Sequence, residues 1–217
     1  MERIICLAIG YVFGLFQTGY IYGKINHIDI RDYGSGNAGT TNVMRTLGKK
    51  AGLITYFGDA LKAVFCTVLI HFTFGIRNPE IEFLLVMYGG LGVILGHNFP
   101  FYLKFRGGKG IAATSGVVCS LLPYNWMLVV LAFSTFMLVT FISKYVSLGS
   151  LVMVTGFFAE FVIFGQTGMI NVLPTHLPEA YVIAFVIMAL AYIRHKENIK
   201  RLIAGNERKI GEKKKEQ

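Results

Sequence analysis

Apolar segments of membrane-spanning character constrain this chain more than any other feature. They cover 4–23, 51–75, 81–101, 111–124, 126–142, 146–166 and 180–193, of which the fourth and seventh are short against the about 20 residues that traverse the hydrocarbon core as a helix. With 54% hydrophobic and 15% charged residues over 217 positions, the chain is too apolar for a water-soluble domain of that size. The expected fold class is therefore all-α, a polytopic integral membrane protein. The first segment is too long and too rich in Gly and Tyr for a secretory signal, and no small-residue cleavage site follows it, so it is expected to remain as the first span.

Hydropathy alone leaves the count at six or seven, because 111–142 reads either as one over-long helix or as two short ones broken near Pro123-Tyr124-Asn125. Charge decides between them. With seven spans, 18 of the 21 Lys and Arg fall on one side. These are Lys24, Arg31, Arg45, Lys49 and Lys50; Lys104, Arg106 and Lys109; Lys144; and the C-terminal set Arg194, Lys196, Lys200, Arg201, Arg208, Lys209, Lys213, Lys214 and Lys215. Arg3 and Arg77 remain opposite, and Lys62 lies within a span. Six spans would put the basic C-terminus on the wrong side. The positive-inside rule thus predicts seven transmembrane helices, with the N-terminus outside and the C-terminus cytoplasmic. It also accounts for most of the net charge of +9 without nucleic acid. Residues 1–205 read as one seven-helix membrane domain without internal repeat, and 206–217 as a basic, solvated cytoplasmic tail within reach of anionic lipid. Cys6, Cys66 and Cys119 are far apart in apolar segments and read as packing residues.

On this topology every unusual polar stretch faces the cytoplasm. The first is Gly34-Ser35-Gly36-Asn37-Ala38-Gly39-Thr40-Thr41-Asn42-Val43-Met44-Arg45, where glycines allow backbone N–H groups to turn on an anion that Arg45 also reaches. The second runs from Gly96-His97-Asn98 to Gly107-Gly108-Lys109-Gly110, which opens the fourth span and joins a positive helix end to one lysine. The third, Ser143 to Ser150, sets Ser147 and Ser150 on one helical face. The fourth, Arg194 to Leu202, does the same for His195 and Asn198. Taken singly, each has a plain structural reading as a turn, a cap or a solvated histidine. Four of them on one face point to an anion site.

Three other patterns carry less. Gly34-Ser35-Gly36-Asn37-Ala38-Gly39 fits G-x-G-x-x-G, but no βαβ unit surrounds it, so no dinucleotide is expected. His27 and Asp32 fit the H-x4-D spacing of acyl-CoA-dependent acyltransferases without a partner motif, and read as coincidence. Asp59 and Lys62, i and i+3 in the second span, read as a mutually neutralised pair near the cytoplasmic end, with the lysine snorkelling, in preference to a proton relay. No carboxylate cluster suggests a metal. Cationic motifs on one side only, without an inverted repeat, weigh against a transport pathway.

Together the four stretches resemble one family, the acyl-phosphate-dependent glycerol-3-phosphate acyltransferases of bacterial inner membranes. The carriers are the Gly-Ser-Gly-Asn-x-Gly-x-Thr-Asn-x-x-Arg run at 34–45, Gly-His-x-Phe-Pro to Gly-Gly-Lys-Gly at 96–110, Lys-Tyr-Val-Ser-Leu-x-Ser at 144–150 and Arg-His-x-Glu-Asn-Ile-x-Arg-Leu at 194–202. The resemblance implies seven helices in the cell membrane with the active site on the cytoplasmic face. It implies acyl transfer from acyl-phosphate to glycerol 3-phosphate, giving lysophosphatidic acid and inorganic phosphate, with no cofactor. Membrane lipid and the soluble enzyme that makes acyl-phosphate are the further partners it suggests. The glycerol 3-phosphate head would meet Ser35, Arg45, Lys109, Ser150, His195 and Asn198, with Asn37, Thr41 and Asn42 shaping the pocket. Gly36, His97, Gly107, Gly108 and Ser147 complete the expected substrate-binding set. Thr40, Ala63 and Ala113 depart from the family's usual Ala, Gly and Thr without removing a proposed ligand.

From the residues themselves, acyl-phosphate chemistry asks for two anions to be held together and an oxyanion to be stabilised. Arg45 and Lys109 are the expected clamps, and backbone N–H groups of the 34–39 or 107–110 turns the expected oxyanion donors. His195 either takes the hydroxyl proton or orients the substrate while a phosphate oxygen takes it. No Ser-His-Asp or Cys-His arrangement calls for an acyl-enzyme.

Overall fold

The computed structural model describes residues 1–170 and 172–212 and is built from ten α-helices among those residues. They are α1 (Glu2–Gly14), α2 (Thr18–Ile25), α3 (Thr40–Leu47), α4 (Lys49–Ile70), α5 (Glu82–Asn98), α6 (Ile111–Ser120), α7 (Trp126–Ser143), α8 (Val146–Gln166), α9 (Leu177–Arg194) and α10 (Lys196–Ile203). Lys213, Lys214 and Lys215 of the expected tail lie outside the described residues.

Among the described residues, six stretches are long and apolar enough to cross a membrane: Glu2–Ile25, Lys49–Gly75, Glu82–Leu103, Trp126–Ser143, Val146–Gln166 and Pro174–Arg194. The expected fourth span is the exception. Its helix, α6, has 10 residues, about 15 Å of rise against a core of about 30 Å. Residues 121–124 then turn rather than extend the helix, and Asn125 starts α7 by accepting the Met127 N–H on its side chain. The turn lies level with the start of α5. Tyr124 donates to Glu82 at 2.7 Å, and Asn125 donates to the Met169 carbonyl at 2.9 Å.

Side-chain bonds sort the loops into two ends. At one end, Arg3 pairs with Glu179 at 2.6 Å and Tyr88 donates to the same carboxylate. At the other, Arg194 reaches the carbonyls of Gly107 and Gly108, and the Ile210 N–H reaches the Lys144 carbonyl. The four polar stretches belong to this second end.

α5 is the axis, with most of its length buried, whereas α7 turns Met137, Leu138, Phe141 and Ile142 outward in the manner of a lipid-facing helix. α1 lies against α5 backbone to backbone. Gly10 and Gly14 face Gly92 and Gly96, and a Cβ at any of the four would run into main chain of the partner helix. Small residues at such a seam supply the dispersion contacts that hold helices together where lipid removes the hydrophobic drive. The first span is not one helix. It breaks at Leu15-Phe16-Gln17, and α2 restarts at Thr18.

Candidate active site at the basic end of the bundle

Lys109 stands one residue before Gly110, whose φ of +86° turns the chain into α6. Its ammonium donates to the Asn198 side-chain oxygen, and the Asn198 amide nitrogen donates to Glu207 Oε1 at 2.7 Å. A lysine only donates and a carboxylate only accepts, so these partners fix which way the Asn198 amide faces. Ser147 donates to the same Glu207 oxygen at 2.9 Å, and Arg201 Nε meets Glu207 Oε2 at 2.7 Å. Arg45, in the last turn of α3, donates to the Arg208 carbonyl at 3.4 Å. Elements from four separate stretches thus meet around one carboxylate.

Electrostatics follow from this crowding. Burial, reinforced by the charges of Arg201, Arg194 and Arg45, pulls the Lys109 ammonium down to about 8 even though Glu207 works the other way. Burial likewise lowers Arg45, with Arg208 adding to it. His195 is brought down to about 4 by burial and by Lys109, so the ring is neutral near pH 7. Its Nδ1 lies 2.7 Å from the Ala191 carbonyl. A carbonyl accepts only, so the proton sits on Nδ1 and Nε2 keeps a lone pair. For Glu207 burial acts against the charge, but bonds from Arg201, Asn198 and Ser147 outweigh it and hold the carboxyl below its ordinary value.

The other expected site residues divide. Ser150 is buried and donates to the Val146 carbonyl within its own helix. Asn42 accepts from Ser35 N–H and donates to the carbonyls of Ile30 and Tyr33, and Asn37 accepts from Gly39 N–H. These asparagines shape the 30–39 loop, leaving the exposed Ser35 and Gly36 and the half-buried Thr41 at its surface. Among the described residues, none of Ser35, Gly36, Asn37 and Thr41 bonds to Lys109, Asn198 or Ser147 through a side chain; Arg45 is what joins this stretch to the cluster.

Three expectations change. The N–H groups of Gly107 and Gly108 are not free for an anion, because they donate to the carbonyls of Asn98 and His97. His97 does not enter the Lys109 cluster: its Nδ1 is 2.8 Å from Lys62, and its ring packs against Gly108, where no Cβ fits. Lys62 does not snorkel. It is buried, paired with Asp59 at 3.1 Å. His27 and Asp32 stay exposed on a loop, where Asp29 instead binds Arg31.

Sequence reasoning missed Arg194, Arg201 and Glu207 as site residues. Arg194 clamps the glycine turn to α9 through the carbonyls of Gly107 and Gly108 and lies over the Phe99 ring. Glu207 was placed in the tail; its signal was a lone acid between Asn206 and Arg208-Lys209.

Comparison with known proteins identifies the family and the fold. The family described as Glycerol-3-phosphate acyltransferase matches residues 4–205. A glycerol-3-phosphate acyltransferase of Clostridioides difficile (strain 630) is 41% identical over 213 residues, covering 97% of each chain. One from Thermoanaerobacter sp. (strain X514) is 38% identical, covering 98% of each. Among solved structures, PlsY, an integral membrane glycerol 3-phosphate acyltransferase, superposes in its glycerol 3-phosphate form with a TM-score of 0.80 at 31% identity, over 97% of this chain and 96% of that one. Its lysophosphatidic acid form superposes with a TM-score of 0.78.

Proposed function

Because this chain belongs to the glycerol-3-phosphate acyltransferase family along nearly its whole length, we propose that the Lys109 cluster is where its reaction takes place. The protein is a multi-pass membrane enzyme that acylates glycerol 3-phosphate to lysophosphatidic acid in phospholipid synthesis. The observation that carries the site assignment is the convergence of Asn198, Ser147 and Arg201 on Glu207, with Lys109 bonded to Asn198 and Arg45 to the neighbouring Arg208 carbonyl.

Lys109 and Arg45 hold the phosphate of glycerol 3-phosphate, the first as a point charge and the second as a fork. Asn198, Ser147 and Ser150 line the same pocket, and Ser35, Gly36 and Asn37 from the 30–39 loop, with Thr41 and Asn42 from the start of α3, border it. With Gly107 and Gly108 N–H engaged, the oxyanion falls to the cations. The donor is acyl-phosphate. A glycerol hydroxyl attacks the acyl carbonyl carbon, the carbonyl-to-phosphate C–O bond breaks, and the departing phosphate ends with the hydroxyl proton. His195 Nε2, neutral and unprotonated, accepts that hydroxyl hydrogen on the way. His195→Ala is expected to lower kcat about 10²-fold; a change confined to the KM for glycerol 3-phosphate would leave the residue only an orienting role.

Seven passes fit this placement. The 111–125 segment returns from the Lys109 end to the level of Glu82 even though its helix is short. With the basic end cytoplasmic, the N-terminus lies outside, and a soluble enzyme making acyl-phosphate delivers its product from the cytoplasm. Residues 1–205 act as one unit together with 206–210, which fold back onto it through Glu207 and the Ile210 N–H. The deciding assay gives purified protein labelled glycerol 3-phosphate with either acyl-phosphate or acyl-CoA. Product is expected from acyl-phosphate alone, and equal rates from acyl-CoA would overturn the donor.

A further inference from the structure

A second polar cluster lies beneath the site, in the interior of the bundle. Gln17 and Thr18 stand at the break in the first span, Asp59 and Lys62 on α4, and His97 near the end of α5; all five are buried. Lys62 Nζ lies 2.5 Å from the Phe16 carbonyl, 2.8 Å from His97 Nδ1, 3.1 Å from Asp59 Oδ1 and 3.3 Å from the Gly14 carbonyl. Asp59 Oδ1 accepts from the Thr18 hydroxyl at 3.0 Å and from its N–H at 3.4 Å.

The pair therefore splices a broken helix. The lysine takes carbonyls that α1 leaves at its C-terminus, where a cation is favoured, and the aspartate takes the first donors of α2, where an anion is favoured. Water is scarce at this depth, and these backbone groups need partners from the protein. The splice also fixes His97. An ammonium only donates, so His97 Nδ1 must accept, which leaves a neutral ring with its proton on Nε2, the edge packed against Gly108. The His97 carbonyl meanwhile accepts from Gln17 Nε2 at 3.0 Å and from Gly108 N–H at 3.1 Å. Lys109 is the next residue in the chain.

We propose that Asp59 and Lys62 are positioning residues for the substrate-binding turn, acting through His97 to set where Lys109 stands. An interior ion pair does little better than break even in stability against apolar residues of the same shape. What it adds here is direction. It places the His97 ring and carbonyl, and both bear on Gly108. The inference rests on reading the turn before Lys109 as part of the glycerol 3-phosphate site.

The test is steady-state kinetics on the full chain in detergent, for Asp59→Asn/Lys62→Met, which leaves no unpaired charge, and for His97→Gln, which leaves the pair intact. Each variant is expected to raise the KM for glycerol 3-phosphate about tenfold, with kcat within about threefold of wild type and the KM for acyl-phosphate unchanged. Because both act on one turn, the triple variant is expected to be no worse than the worse of the two. A wild-type KM in the folded pair variant, or additive effects in the triple, overturns the proposal. If the pair variant does not purify folded, His97→Gln decides alone, and a wild-type KM there overturns it. Lys109→Ala run alongside separates the two readings. Full activity in that variant removes the site itself, whereas its inactivity beside a wild-type KM in the folded pair variant, or in His97→Gln, removes only the role given to Asp59 and Lys62.

Discussion

Lys109→Ala is expected to lower kcat/KM for glycerol 3-phosphate by about 10²-fold or more while the protein still purifies as a folded species. The magnitude follows from removing one charge-assisted donor from a half-buried site, where such a contact is worth more than at an open surface. Folding is spared because the side chain makes its bond to Asn198 at the end of the bundle and packs no core. Lys109→Arg should recover only part of the loss, since a planar fork does not reproduce a point charge at the same spot.

The same residue predicts a pH profile. Its ammonium sits at about 8 in the free protein, so it is charged below that value and neutral above it. kcat/KM reports the free enzyme and should fall as pH rises past about 8. kcat should hold to higher pH, because a bound phosphate dianion restores the lysine's proton affinity. Half or more of wild-type kcat/KM in Lys109→Ala, or a profile flat to pH 10, would remove Lys109 from the site.

Much of this was legible in the sequence because the bilayer leaves few options. Apolar length marked the helices, and the placement of Lys and Arg marked the end where Lys109, Arg194 and Lys144 now meet. Two helical details escaped it. The first span breaks before Thr18, and Asp59 and Lys62 satisfy the break from another helix, a pairing that local pattern cannot foresee. The 111–124 segment was short already, and Pro123 with the Asn125 cap commits its last four residues to a turn, so the helix ends at Ser120. In the site, composition marked which loops are polar and said nothing of which way each group points. Asn42 and Asn37 turn back on their own loop, the Gly107 and Gly108 N–H groups are spent on α5, and His97 faces Lys62. Long-range bonds decide all of these directions.

Glu207 is the instructive miss, because residues 206–210, which read as the start of a free tail, return to the bundle. The Ile210 N–H donates to the Lys144 carbonyl, Arg45 reaches the Arg208 carbonyl, and the Glu207 carboxylate gathers Ser147, Asn198 and Arg201. Glu207→Ala strips a buried carboxylate from three donors and leaves Asn198 and Ser147 without the partner that orients them. The expected cost is about 2–4 kcal/mol, on the order of a 5–10 °C fall in thermal midpoint for a chain of this length. The KM for glycerol 3-phosphate should rise as well, since Asn198 is the residue that holds Lys109. The carboxyl is kept below its ordinary value, so this stabilisation is complete above the usual carboxylate range and is lost as pH falls through the lowered folded-state value. The midpoint of wild type should therefore drop in acid more steeply than that of Glu207→Ala. Equal midpoints for the two proteins at pH 7, with an unchanged KM, would mean that the returning segment lies against the site without organising it.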